Sequence, residues 1–251
     1  MVGKTLSKLA NPALFQRVTG PIVPISGALT VILITAGTLV AFFFSPPDHR
    51  QGESVRIMYV HVPAAWMALQ TYAGIAVATL VGFIWRHRLA DIIAKAAAPL
   101  GLAFTVLALV TGALWGKVTW GVYWDWDPRL TSMLVLAFLY AGYIALWASI
   151  ENEATAARIC ALLAMLGAVN LPIIKFSVDW WDSLHQKAAV VREGGPSLPA
   201  SMLWPLLIMA LGYMTLSIFY VLVRARADLR ARKASPEDKA APSAAVMEPA
   251  E

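Results

Sequence analysis

The residues best suited to holding a large ligand gather between Trp115 and Asp127. There the run Trp115-Gly116-Lys117-Val118-Thr119-Trp120-Gly121-Val122-Tyr123-Trp124-Asp125-Trp126-Asp127 leads into Pro128-Arg129-Leu130-Thr131. Indole rings cover a large apolar area at little side-chain entropy cost and keep an N–H at one edge, so the run can build a flat surface for a planar ligand with polar groups on its rim. The tryptophan spacings of five, four and two fit neither a continuous helix nor a strand. With Gly116 and Gly121 permitting turns, the run is expected as a folded cap. Asp127 is placed to cap the helix that follows, with Pro128 at its first position. Arg129 projects from that helix start, where it can meet a phospholipid or a ligand carboxylate.

Two of the four histidines flank this run. His61 lies in Ile57-Met58-Tyr59-Val60-His61-Val62, just before Pro63, which should start or kink a helix and can turn the imidazole toward the aromatic surface. His185 lies in a late connection where Trp181, Leu184, Ala188 and Val191 mark one side of a short interfacial helix, ended by Gly194-Gly195-Pro196. His49, after Pro46-Pro47, reads as solvated, and His87, between Arg86 and Arg88, as a surface charge. A lone histidine is more often structural than an iron ligand. Two neutral imidazoles on opposite sides of a planar ring, with tryptophans around its body and arginines at its acidic edge, are what a non-covalent haem b requires. His61 and His185 are thus the candidate axial ligands of the haem iron, and Trp115, Trp120, Trp124, Trp126 and Asp127 the platform. Arg56 and Arg129 are candidate propionate contacts, and Trp66, Trp180 and Trp181 a secondary aromatic wall. Zinc is the weaker candidate, because these connections offer no cysteine and no tight histidine spacing.

The elements that must position these residues are membrane helices. A chain of 251 residues that is 59% hydrophobic and 14% charged, with mean hydropathy +0.65, cannot hide its apolar surface in one soluble core. Six apolar stretches, Ile22 to Phe44, Val62 to Trp85, Ile92 to Trp115, Leu130 to Ser149, Ala156 to Phe176 and Met202 to Val223, are each long enough to cross roughly 30 Å of hydrocarbon. The expected fold is therefore all-α, with a cytoplasmic arm over residues 1–21, a six-helix membrane domain over 22–224 and a basic, then disordered, tail over 225–251. Lys4, Lys8 and Arg17, then Arg86, Arg88 and Lys95, then Arg224 to Lys233 assign both termini to the cytoplasm. The tryptophan run then faces outward, and eight of the ten tryptophans fall on that face, which a lipid-anchoring belt does not predict.

Other classes recede. The net charge of +5 follows the cytoplasmic bias and points to anionic lipid, not to nucleic acid. No span carries a charge near its middle, which disfavours a pump. The single Cys160 excludes an internal disulfide and any Cys-x-x-Cys-His haem attachment. Gly74, Ala78 and Gly82 recur at a spacing of four and offer a smooth helix face for close packing. Leu6, Leu9, Leu14 and Phe15 suit an arm resting on the inner membrane surface.

The run from Trp115-Gly116 through Trp120-Gly121, Trp124 and Trp126-Asp127-Pro128-Arg129-Leu130-Thr131 resembles the tryptophan-rich signature of haem-handling proteins of cytochrome c maturation. Six spans and the chain length are similar to the CcmC type. Asp125 and the tail after Arg232 stand outside the pattern. The resemblance implies that His61 and His185 are the axial ligands, and that Trp120, Trp124, Trp126 and Asp127 form the signature's core. It further implies a bacterial inner-membrane protein that presents haem at the periplasmic face to a membrane-tethered haem chaperone of CcmE type, which captures a vinyl group covalently. A small single-span helper of CcmD type and an ABC transporter pair of CcmA and CcmB type are the other implied partners. No Walker motif occurs, so ATP hydrolysis would belong to that pair. On this reading the chain is a presenting scaffold and not an enzyme. A haem-attachment synthase and a haem permease are the rival readings.

Overall fold

Asn11 opens the first helix by accepting from the backbone N–H groups of Ala13 at 2.9 Å and Leu14 at 3.4 Å, with Pro12 at the first helical position. The computed structural model describes residues 11–187 and 189–233, and there the regular structure is helical apart from an isolated bridge between Asp48 and Gly52. The order is α1 (Pro12–Phe43), a 3-10 turn (Glu53–Ile57), α2 (Met58–Trp85), α3 (Arg88–Trp120), α4 (Pro128–Ser149), α5 (Glu153–Gly167), α6 (Asn170–Trp180) and α7 (Ala200–Lys233). Among the described residues six segments are long and apolar enough to cross a membrane: α1, the 3-10 turn with α2, α3, α4, α5 continued by α6, and α7. The chain is a multi-pass membrane protein, with its spans where the hydropathy reading expected them. The helices also run past the expected domain limits, since α1 begins inside residues 1–21 and α7 ends inside residues 225–251. Leu6, Leu9 and the tail beyond Lys233 lie outside the described residues. Phe15 packs against the cluster of Leu89, Ile92, Ala96, Ala225 and Leu229.

Helix ends follow from local chemistry. The α2–α3 connection is two residues long because Arg86 takes a left-handed φ of 52° and the His87 ring accepts from the Ala90 N–H at 3.2 Å. His87 is therefore a helix cap as well as a surface residue. Asn152 caps α5 by accepting from Thr155 N at 2.9 Å. The fifth span is broken at Ala168 and Val169. Pro172, four residues after Ala168, supplies no N–H for that carbonyl and its ring crowds it. Asn170 uses the opening to donate to the Ser132 carbonyl at 2.8 Å.

The core is made by tyrosines lying on small residues. Tyr72 and Tyr140 meet edge to face at 5.0 Å, and the Tyr140 hydroxyl donates to the Ala68 carbonyl at 2.8 Å. Of the six spans α3 is the most enclosed, with 56% of its most apolar window buried against 22% for α1 and α7. It packs on α2, α4 and α7, while α1 lies along α7. The last pair is joined by Thr30 and Thr215 at 3.1 Å and by Arg226 donating to the Gln16 carbonyl at 2.6 Å. The small-residue stripe of α2 serves packing only in part. Gly82 receives the Asp91 side chain, whereas Gly74 faces open space.

The close approach that matters most is at Gly101, where an added methyl would collide with the Tyr140 ring. Gly101→Ala should lower the thermal unfolding midpoint in detergent, consistent with an overpacking cost of about 1–3 kcal/mol. Gly74→Ala should hold or raise it, because only helix propensity changes there. Equal midpoints for the two variants would contradict this packing.

Candidate functional site

The tryptophan run is less of a cap than its spacing suggests. Helix α3 continues through Trp120 and ends only at Gly121, whose φ of 81° is the left-handed conformation that glycine adopts freely. Lys117 then donates to the Gly121 carbonyl at 2.9 Å, satisfying an end group of the helix. Gly116 is helical, and the Trp120 ring folds back over it. Trp115 and Trp120 therefore stand on one rigid helix about 7.5 Å apart along its axis. Only residues 121–127 form the irregular connection.

Each candidate ligand histidine packs edge-on against one of these indoles. His61 lies 5.8 Å from Trp115 between ring centres, and His185 lies 4.9 Å from Trp120. His61 is carried by α2 and rests on α3 at Gly112, where a methyl group would come within 2.9 Å of its Cε1. Its Nδ1 lies 3.0 Å from the Ala108 carbonyl and 3.1 Å from Thr111 Oγ1. A carbonyl only accepts, so Nδ1 carries the proton and Nε2 keeps its lone pair. The Thr111 hydroxyl in turn donates to the Leu107 carbonyl at 2.6 Å, leaving its own lone pairs toward the imidazole.

His185 also has its Nδ1 engaged, by another route. Its Nδ1 lies 3.2 Å from Asp127 Oδ2, which also accepts from the Ser183 hydroxyl, while Oδ1 accepts from the Leu130 N–H at 2.7 Å. The His185 backbone N–H donates to Ser183 Oγ at 3.2 Å, closing a small ring of contacts. Asp127 is 5% exposed. Burial alone would raise its pKa, but the hydrogen bonds from His185, Leu130 and Ser183 outweigh that and hold it at about 2. Asp127 thus caps α4, as its position predicts, and also orients the ring of His185. The expected surface helix around His185 does not form. Residues 181–187 and 189–199 are bends, turns and irregular chain, and Ala188 lies outside the described residues. The contacts of Ser183 and His185 with Asp127 compete with helical hydrogen bonding, and Gly194 and Gly195 both take φ of 83°.

The remaining candidates divide. Arg129 donates to the Lys175 carbonyl at 3.2 Å, and its buried Nε has no partner. Trp124 meets Trp126 edge to face at 5.6 Å and keeps a buried indole N–H without a partner, while Trp126 is exposed. Arg56 is engaged elsewhere: it pairs with Glu53 and donates to the carbonyls of Ala41 and Phe42, closing the end of α1. Trp66 packs into the main core. Trp180 and Trp181 are exposed; Trp180 stacks on Phe176 and meets Trp181 edge to face. None of these four forms a hydrogen bond, ion pair or ring contact with His61 or His185. His49 is exposed beside Asp48.

Four residues at the site carry weak sequence signals. Gln51 accepts from the Trp115 indole N–H at 2.8 Å and is itself fixed by donating its backbone N–H to Asp48. The backbone N–H groups of Gln51 and Arg50 lower the Asp48 pKa. Ser183, Thr111 and Gly112 are the others. A glycine within an apolar helix is the one signal of close approach that could have marked this face.

Chemically, the arrangement offers two imidazoles whose Nδ1 atoms are engaged, an indole edge-on to each, and two orphaned buried donors, Trp124 Nε1 and Arg129 Nε. That set suits a planar metal-centred ring with an acidic rim. Among the described residues no group of three or more His, Cys, Asp or Glu side chains could hold a bare metal ion.

Comparison with known proteins bears on the same question. A family profile described as Heme exporter protein C, CcmC, matches residues 5–240. The Heme exporter protein C of Bradyrhizobium diazoefficiens is 48% identical over 229 residues, covering 91% of this chain and 87% of that protein. That of Escherichia coli K12 is 43% identical over 223 residues, covering 89% and 90%. The Haemophilus influenzae protein of the same name is 41% identical over 226 residues, covering 90% and 92%.

The depressed pKa of Asp127 makes a signed prediction. A folded pKa of about 2 against 3.8 corresponds to on the order of 2 kcal/mol of stability. That contribution is complete above about pH 5 and is lost as the pH falls toward 2. The gap in unfolding midpoint between the wild type and Asp127→Asn should narrow as the pH falls from about 5 toward 2. A gap independent of pH down to about 2 would contradict the assignment.

Proposed function

This chain belongs to the Heme exporter protein C family, and from that premise we propose that it holds haem non-covalently at the periplasmic face of the inner membrane. It presents that haem to a periplasmic haem chaperone during cytochrome c maturation. The observation that carries this reading is the pair of imidazoles from separate elements, each edge-on to a signature indole and each with Nδ1 engaged as donor, so that both present Nε2. Haem is the cargo and supplies the iron that those lone pairs would bind. The chain's own residues bind and orient it: Trp115 and Trp120 support the rings, and Arg129 and the Trp124 N–H face a carboxylate-bearing edge.

The orientation rests on charge. Arg17, Arg86, Arg88, Arg224, Arg226, Arg230, Arg232 and Lys233 lie near the span ends opposite the tryptophan run, as the positive-inside rule requires of a cytoplasmic side. A single-span helper and an ABC transporter pair complete the proposed assembly, the latter providing ATP hydrolysis. The chain itself acts as a scaffold, and its rate effect on vinyl capture is one of proximity.

Haem copurified with the full-length protein should give a six-coordinate low-spin spectrum. His61→Ala and His185→Ala should each lose it, and should abolish covalent haem on the chaperone in cells. His49→Ala should leave both unchanged. Retention of the unaltered spectrum by both ligand variants would overturn the reading, and a loss confined to His49→Ala would reassign the ligand.

A further inference from the structure

The two histidines present the same nitrogen, but what stands behind each of them differs. Behind His185 is the carboxylate of Asp127, 3.2 Å from Nδ1 and buried to 5% exposure. Behind His61 are two neutral acceptors, the Ala108 carbonyl at 3.0 Å and Thr111 Oγ1 at 3.1 Å. An anionic partner on Nδ1–H gives the imidazole imidazolate character and raises the basicity of Nε2, whereas a neutral partner fixes the ring orientation with a smaller gain. The low polarity around a buried carboxylate strengthens that difference.

We infer that Asp127 is a positioning residue that makes His185 the stronger of two unequal iron ligands, leaving the His61 bond as the one that opens first when haem is handed on. The inference rests on the reading that both histidines bind haem iron. Ligand exchange at the proposed site is then ordered. His61 yields a coordination position while His185 keeps the cargo against the Trp120 ledge. The irregular chain that carries His185 does not reverse this order, because Ser183 binds the same carboxylate and accepts from the His185 backbone N–H at 3.2 Å. His185 is thereby tied to the start of α4, even though its segment lacks helical structure.

Carbon monoxide separates the two ligands. On reduced, haem-loaded, full-length protein in detergent it replaces the weaker axial imidazole, and its C–O stretching frequency reports the imidazole that remains opposite. With His185 retained, Asp127→Asn should raise the frequency, because a less basic ligand supports less back-donation. Thr111→Val, which alters only the environment of His61, should leave it in place. Ser183→Ala removes a donor that competes for Asp127 Oδ2, and should lower the frequency. Asp127→Asn should also speed haem loss to a haem-scavenging apoprotein by about tenfold or more. Asparagine remains a good helix cap, so the variant is expected to fold. If it does not, the Ser183→Ala and Thr111→Val shifts decide the matter. A frequency that moves in Thr111→Val and stays fixed in the other two variants would overturn the inference while leaving bis-histidine binding intact. Failure of that binding reading would show differently, as an unaltered six-coordinate spectrum in His61→Ala and His185→Ala.

Discussion

Asp127 uses both carboxylate oxygens to join parts of the chain that are far apart in sequence. One oxygen accepts from the Leu130 N–H and starts α4, and the other gathers Ser183 and His185 from the last long connection. A buried carboxylate left without such partners would cost several kcal/mol. The contacts are therefore mutually required: the connection needs the carboxylate for its shape, and the carboxylate needs the connection to remain charged. Much of the geometry at the tryptophan-rich end follows from this one group. It explains why a segment with few regular backbone hydrogen bonds still places His185 beside Trp120.

The rest of the helical body supports that end. Tyrosine rings seated on small residues hold α2, α3 and α4 together, and Gly112 lets His61 lie against α3 close enough to reach the Ala108 carbonyl. The break before Pro172 frees Asn170 to bind the Ser132 carbonyl, which fixes α6 against α4. Arg129 strengthens the same junction through the Lys175 carbonyl. Proline and glycine, unfavourable in a soluble helix, here create the openings through which polar side chains join one helix to the next.

The spans were legible because apolar length is a coarse property that survives any detail of packing. The caps at Asp127 and Asn11 follow from local hydrogen bonding alone, and Asp127 was readable for that reason. Its second role was not, because the contact with His185 depends on how two distant connections meet. The extent of α3 was misjudged for a related reason: spacing between tryptophans says nothing about which helix faces are occupied, and Lys117 and Gly121 set the true end. Periodicity favours a surface helix around His185, and the side-chain bonds of Ser183 displace it. Arg56 illustrates the limit of charge as a guide, since the carbonyls of Ala41 and Phe42 claim its guanidinium.

Because α3 runs unbroken to Trp120, the two indoles packed against the histidines are held by helical backbone. On the proposed reading, a ligand meeting these indoles orders no main chain beneath them, so little of its association energy would be lost to conformational restriction. Selectivity then comes from shape. A rigid shelf rewards a wide, flat, unyielding ring system and gains nothing from a flexible amphiphile of equal area, even though the surrounding bilayer is full of them.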